Sequence, residues 1–152
     1  MYERTILVVE DDANDVLLLK RAFKKVSPDT PLEIVRDGEE AVSYLSGEGE
    51  HADRGRHSRA GLVLLDLKLP KMSGLEVLEW MRGQAGLRRL PVVVLTSSGE
   101  AGDVNRAYDL GASSYMVKPV SFDDLLKMVR AIRDYWLMLS QLPEAWSAGE
   151  RS

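Results

Sequence analysis

The sequence predicts an α/β protein, a doubly wound, five-stranded parallel sheet of (βα)5 form. Three observations carry this. Short apolar, β-branched runs occur five times, and each is followed by a stretch with helical periodicity, the order that produces a parallel sheet with helices on both faces and right-handed crossovers. The run Leu62-Val63-Leu64-Leu65 is apolar at every position, as in a strand buried on both sides, and it stops at a single carboxylate, Asp66. Polar residues also end the other main runs, at the strand edge where open α/β sheets bind ligands.

The elements follow in order. Thr5-Ile6-Leu7-Val8-Val9 is a buried strand that ends in three consecutive acids, Glu10-Asp11-Asp12. These acids have two readings. Asp12 can be a helix N-cap, with acids near the positive helix end. The carboxylates can also hold a hard divalent cation. Residues 13 to 27 place Val16, Leu19, Phe23 and Val26 on one helix face. Ser27-Pro28-Asp29-Thr30-Pro31 breaks that helix, and Leu32-Glu33-Ile34-Val35 reads as a shorter edge strand. Asp37 with Glu40 is a variant capping box, opening a helix with Ala41, Val42 and Leu45 inward. Residues 46 to 61 read as a long loop, with Gly47, Gly49, Gly55 and Gly61 among charges and His51 and His57. Its glycine spacing is not a dinucleotide fingerprint, because it follows a helix instead of joining a strand to one.

After the central strand, Ser73 and Glu76 form a capping box for a helix that buries Leu75, Leu78 and Met81 or nearby positions. Pro91 to Thr96 is the fourth strand, followed by the small-residue loop Ser97-Ser98-Gly99. A helix over about residues 101 to 110 offers only Val104, Tyr108 and Leu110 as large apolar residues, so loose packing is expected. Ser113 to Val117 is the fifth strand, and it ends at Lys118-Pro119, where a cis bond would aim the lysine. Ser121 caps the last helix.

Composition narrows the function. The chain has 152 residues, 45% hydrophobic and 29% charged, which suits one globular domain. A net charge of −4 argues against a nucleic-acid binder. The absence of cysteine excludes disulfides, thiolate nucleophiles and cysteine-rich zinc sites, and it fits a reducing, cytoplasmic setting. The start, Met1-Tyr2-Glu3-Arg4, is not a signal-peptide pattern, and no run is long enough to span a membrane.

Because the strands are parallel, Asp11, Asp12, Asp66, Thr96 and Lys118 share one edge. The acids would hold Mg2+, which would neutralise an incoming phosphate. Asp66 would attack phosphorus, while Thr96 and Lys118 would hold the phosphoryl oxygens.

These residues carry a resemblance. Ile6-Leu7-Val8-Val9-Glu10-Asp11-Asp12, Leu64-Leu65-Asp66-Leu67-Lys68-Leu69-Pro70 with Gly74, Val94-Leu95-Thr96-Ser97, and Ala112-Ser113-Ser114-Tyr115-Met116-Val117-Lys118-Pro119 together resemble a response-regulator receiver domain, the phosphoacceptor half of two-component signalling. The resemblance covers about residues 4 to 139 and leaves 140–152 as a C-terminal extension. It implies a flavodoxin-like, CheY-like sheet in the order 2-1-3-4-5. It implies Asp66 as phosphoacceptor, Asp12 as direct Mg2+ ligand, Asp11 acting through water, and the Lys68 backbone carbonyl as a further ligand. Ser97 falls where the family has a small residue, and Tyr115 matches its switch aromatic. It further implies a sensor histidine kinase as partner, a protein that is not an enzyme in its own right but assists its own phosphorylation and dephosphorylation, and output through helix 4, strand 5 and helix 5.

Two features depart from most receivers: the loop at 47–60, and a last helix running on through Asp134-Tyr135-Trp136-Leu137. Both resemble the small single-domain regulators paired with bacterial phytochrome kinases, which are often homodimers. Leu125, Val129, Ile132, Trp136 and Leu139 make one helical stripe, which suffices to bury a surface helix. Met128, Tyr135 and Leu142 make a second stripe, the expected dimer interface, with the tail and Trp146 folding back on the domain as the alternative. Two rival classes fit less well. An aspartate-nucleophile phosphohydrolase needs an acid two residues after its nucleophile, where this chain has Lys68. A flavodoxin-like cofactor binder leaves the acids and Lys118 unexplained.

Overall fold

The computed structural model describes residues 5–47 and 60–141. The loop residues His51 and His57, and Leu142 and Trp146 of the tail, lie outside the described residues. Five parallel strands, β1 (Thr5–Val9), β2 (Leu32–Val35), β3 (Ala60–Leu65), β4 (Val92–Thr96) and β5 (Ser114–Val117), form one sheet in the order β2-β1-β3-β4-β5. The crossovers are α1 (Ala13–Val26), α2 (Gly38–Ser46), α3 (Gly74–Arg82) and α4 (Ala101–Asp109), and α5 (Phe122–Ile132) follows β5. β3 begins two residues before the apolar run, at Ala60 and Gly61, because both are buried beside β1.

The pleat divides the core in two. Ile6, Val8, Leu62, Leu64, Val93 and Leu95 face α1 and α5, where they meet Leu19, Phe23, Val129 and Ile132. Leu7, Val9, Val63, Leu65 and Val92 face α2 and α3, where they meet Leu45, Leu78 and Met81. This is the two-residue side-chain period of a strand covered on both faces. In α2 the third inward residue is Tyr44 and Val42 is only half-buried, because Tyr44 completes the i, i+3, i+4 face with Ala41 and Leu45. α4 buries only Ala107, against Leu67 and Val94, as its few apolar residues foretell.

Helix ends follow the capping residues. Asp12, Asp37, Ser73 and Ser121 each accept amide hydrogens from the first turn. Ser73 and Glu76 form the full capping box, whereas Glu40 reaches one residue further back, to the Arg36 amide at 2.9 Å. At the amino edge of the sheet, Arg82 threads its guanidinium among carbonyls. It donates to Gly111 (2.7 and 3.1 Å), Leu87 (3.1 Å), Arg88 (3.2 Å) and Leu90 (2.9 Å). Gly111, at φ +104°, leaves no room for a Cβ beside that side chain.

The last helix departs from its expected register. Beyond Ile132 it continues as a π-helical segment, Arg133–Leu139, and the Ser140 amide bonds back to the Tyr135 carbonyl at 2.6 Å. The wider turn rotates the face, so Leu137 enters the core and Leu139 stands 78% exposed. Met128, expected on an open stripe, packs half-buried on its own domain. Tyr135, Met138 and Leu139 are the exposed apolar residues here, with Tyr135 edge-on to Trp136. No helix of the described residues is long and apolar enough to cross a membrane.

This register has a direct test in urea unfolding. Leu137→Ala should cost about 2–4 kcal/mol, the loss typical of a buried leucine. Leu139→Ala should stay within about 0.5 kcal/mol. Equal losses would restore the unbroken α-helical register.

Candidate functional site

The site forms because three strands extend their ladder by one residue. The Glu10 amide bonds to the Val35 carbonyl (3.0 Å), the Asp66 amide to Val9 (3.1 Å) and the Lys118 amide to Thr96 (2.7 Å). Each side chain therefore keeps its strand's pleat. Glu10 follows the parity of Val8, Asp66 that of Leu64 and Lys118 that of Met116, and all of these face α1 and α5. Thr96 follows Val94 and points to the other side, toward α4.

The convergence is electrostatic. The Lys118 ammonium lies 2.5 Å from Glu10 Oε1, 2.8 Å from Asp15 Oδ2 and 3.1 Å from Asp66 Oδ2. Glu10 and Asp66 are 5% and 6% exposed, and carboxylates so buried need that counter-charge. Burial pushes the Glu10 carboxyl up to about 7, and the Asp66 charge adds to the rise. Hydrogen bonds from Lys118 and the Asp12 amide act in the opposite sense. Burial would depress the Lys118 pKa, but hydrogen bonds to Asp15 and Glu10 and the charge of Asp66 outweigh it and hold it above the usual lysine value.

Oxygens of Glu10, Asp11 and Asp66 lie within 4.8 Å of one another. Three hard oxygen donors suit a divalent cation. Asp12, expected as the direct ligand, is not in this group. Its Oδ1 accepts the Asn14 amide (2.9 Å) and the Asp15 amide (3.0 Å), so it serves as the α1 N-cap, and Glu10 takes the expected place beside Asp11. The Lys118–Pro119 bond is trans, correcting the cis expectation, and the Lys118 amide bond to the Thr96 carbonyl keeps the lysine in the pleat of β5.

The loop after β3 is shaped for close approach. The Lys68 amide points at Asp66 Oδ1 (3.3 Å), and the Gly74 amide closes the loop on the Leu67 carbonyl (3.0 Å). A Cβ on Gly74 would stand 2.1 Å from the Asp66 carbonyl oxygen, so only glycine fits there. Across the edge, Thr96 Oγ1 is fully buried without a hydrogen-bond partner among the described residues. Such an orphan hydroxyl is costly unless a ligand satisfies it. Ser97 is exposed beside it. Tyr115 is half-buried, and its hydroxyl donates to the Ser98 carbonyl (2.7 Å), while Ser98 Oγ donates to Asp103 Oδ2 (2.6 Å). Burial raises the Tyr115 pKa, which keeps that hydroxyl a donor. Sequence reasoning missed Asp15. Its signal was its place in the first turn of α1, above the same sheet edge.

Residues 6–130 match the family model of the response regulator receiver domain. The response regulator Rcp1 of Synechocystis sp. is 40% identical over 142 residues, spanning 93% of this chain and 95% of its own. The probable methanogenesis regulatory protein FilR2 of Methanothrix harundinacea is 43% identical over 138 residues, spanning 91% and 86%. The crystal structure of the phosphorylated cyanobacterial phytochrome response regulator RcpA is 38% identical with a TM-score of 0.86, covering 93% of this chain and 99% of that one. That of Mn2+-bound Rcp1 is 40% identical with a TM-score of 0.82, covering 92% and 99%.

The carboxyl group of Glu10 must lose its proton to serve a cation, so divalent-cation affinity should rise as pH rises through about 7. Calorimetric titration between roughly pH 6 and pH 8 should show a gain of about tenfold, and Glu10→Gln should flatten the profile. A flat profile in the unaltered protein would exclude Glu10 from the site.

Proposed function

Because this chain belongs to the response-regulator receiver family, we propose that it accepts a phosphoryl group on Asp66 from a sensor histidine kinase and signals through the change that follows. The observation that carries this is the pairing of a buried Asp66, held by Lys118, with a buried Thr96 hydroxyl on the same sheet edge that has no hydrogen-bond partner among the described residues. An Asp66 carboxylate oxygen attacks phosphorus, the bond from phosphorus to the donor breaks, and its electron pair leaves with the donor group. Lys118 and Thr96 receive the phosphoryl oxygens, one by charge and one by hydrogen bond.

Glu10, Asp11 and Asp66 would hold Mg2+, with the Lys68 carbonyl as a further ligand. When bound, it supplies positive charge for the crowded carboxylates and the phosphoryl oxygens. The exposed Ser97 leaves the approach open. Thr96 closing on a phosphoryl group would free Tyr115 from the Ser98 carbonyl and let it turn inward, passing the change to the face of α4, β5 and α5. The same residues would assist hydrolysis of the acyl phosphate.

The receiver unit would run from residue 4 to 139, with 140–152 as an extension. Matches covering 95% of Rcp1 and 99% of RcpA support a receiver that acts on its own. The phytochrome type is the proposed kinase class, supported by the RcpA likeness. A cytoplasmic setting agrees with the lack of cysteine. Exposed Tyr135, Met138 and Leu139 support a homodimer through the end of the last helix.

Intact mass after incubation with acetyl phosphate and Mg2+ should show one added phosphoryl group. Asp66→Asn should fold normally and gain none, and omission of Mg2+ should abolish the gain. Labelling of Asp66→Asn would overturn the assignment. Size-exclusion chromatography of the same samples should show a dimer, and a monomer in every state would remove the homodimer.

A further inference from the structure

The contacts of Lys118 assign a role to Asp15, and this inference rests on the reading of Asp66 as phosphoacceptor. An ammonium group has three N–H donors. Here each faces a carboxylate, of Glu10, Asp15 and Asp66. Two of these acceptors, Glu10 and Asp66, belong to the acid group suited to a cation, whose charge would loosen their hold on the lysine. Asp15 stands outside that group. It sits in the first turn of α1, fixed by its amide bond to the Asp12 cap (3.0 Å). A bound cation would therefore leave the Asp15 tether in place.

The tether also borders a groove beside the site. Asp15 and Lys118 line the groove between α1 and α5 together with Leu18, Leu19, Pro119 and Leu125. Without a cation Glu10 at 2.5 Å and Asp66 at 3.1 Å share the ammonium with Asp15, so the Asp15 contact occupies a donor that a phosphoryl oxygen would otherwise take. We infer that Asp15 is a positioning residue that restrains Lys118 and so sets how tightly the site holds a phosphoryl group on Asp66. An acid that merely favours the positive end of α1 would alter stability and leave phosphoryl affinity unchanged.

Beryllium fluoride, a non-covalent phosphoryl analogue, tests this by titration in saturating Mg2+. Asp15→Asn should bind it about threefold to tenfold more tightly, the range for a half-exposed charge pair. Asp12→Asn removes the same charge from the same helix turn and keeps a capping side chain, but it frees no lysine contact, so it should stay within about twofold. Asp15→Glu, which keeps the carboxylate within reach, should also stay near the unaltered protein. Unchanged or weaker binding by Asp15→Asn, or equal tightening by Asp12→Asn, would overturn the role of Asp15. Failure of the unaltered protein to bind the analogue would instead defeat the reading of Asp66, whatever Asp15 does.

Discussion

The ammonium of Lys118 is the constraint on which the carboxyl edge depends. Glu10 and Asp66 are nearly sealed from water, and Asp11 and Asp15 stand beside them. Burying a lone carboxylate costs several kcal/mol, and burying several together adds their repulsion. One cation between three acids makes the arrangement tenable without a metal. It also leaves the cluster short of positive charge, which is the condition under which a dication and then a phosphoryl group are welcome. The scaffold contributes the geometry. A parallel sheet brings the ends of β1, β3 and β5 to one edge, and one extra ladder bond per strand fixes which way each side chain turns.

Most of this fold is legible in the chain itself. β1 and β2 match their apolar runs residue for residue, and the caps Asp37, Ser73 and Ser121 mark helix starts that local hydrogen bonding then satisfies. Two places resist such reading. Asp11 and Asp12 look like a pair because they are adjacent, yet the pleat, which alternates sides, sends Glu10 toward Asp66, while Asp12 turns to cap α1. Counting strand parity from Ile6 and Val8 would have found Glu10. The last helix fails for a different reason. Its apolar spacing fits an ordinary α-helix to Leu139, and nothing local announces the wider turn that brings Leu137 into the core. That choice is made by packing against α1, where Arg133 also donates to the Val26 carbonyl at 2.8 Å.

The region around α4 is held differently from the rest. With one buried alanine, it gains little from apolar burial, and its loop depends on polar contacts among Tyr115, Ser98 and Asp103. Polar contacts exchange partners at small net cost, since water or another acceptor can replace them. A segment attached this way can take up a second arrangement without unpacking the core, and it adjoins the Thr96 hydroxyl, which has no hydrogen-bond partner among the described residues.

The opposite edge behaves in another manner. Arg82 is solvated by the carbonyls of Gly111, Leu87, Arg88 and Leu90, so the turn before β5 is tied to the end of α3 by dipoles. Dissolved salt screens ion from ion, but it has little purchase on a half-buried ion wrapped in backbone oxygens. The two edges of one sheet thus obey different chemistries. The carboxyl edge answers to cations, protons and ionic strength. The amino edge, held by a guanidinium among backbone carbonyls, feels far less of these influences and ties the turn after α4 to the end of α3.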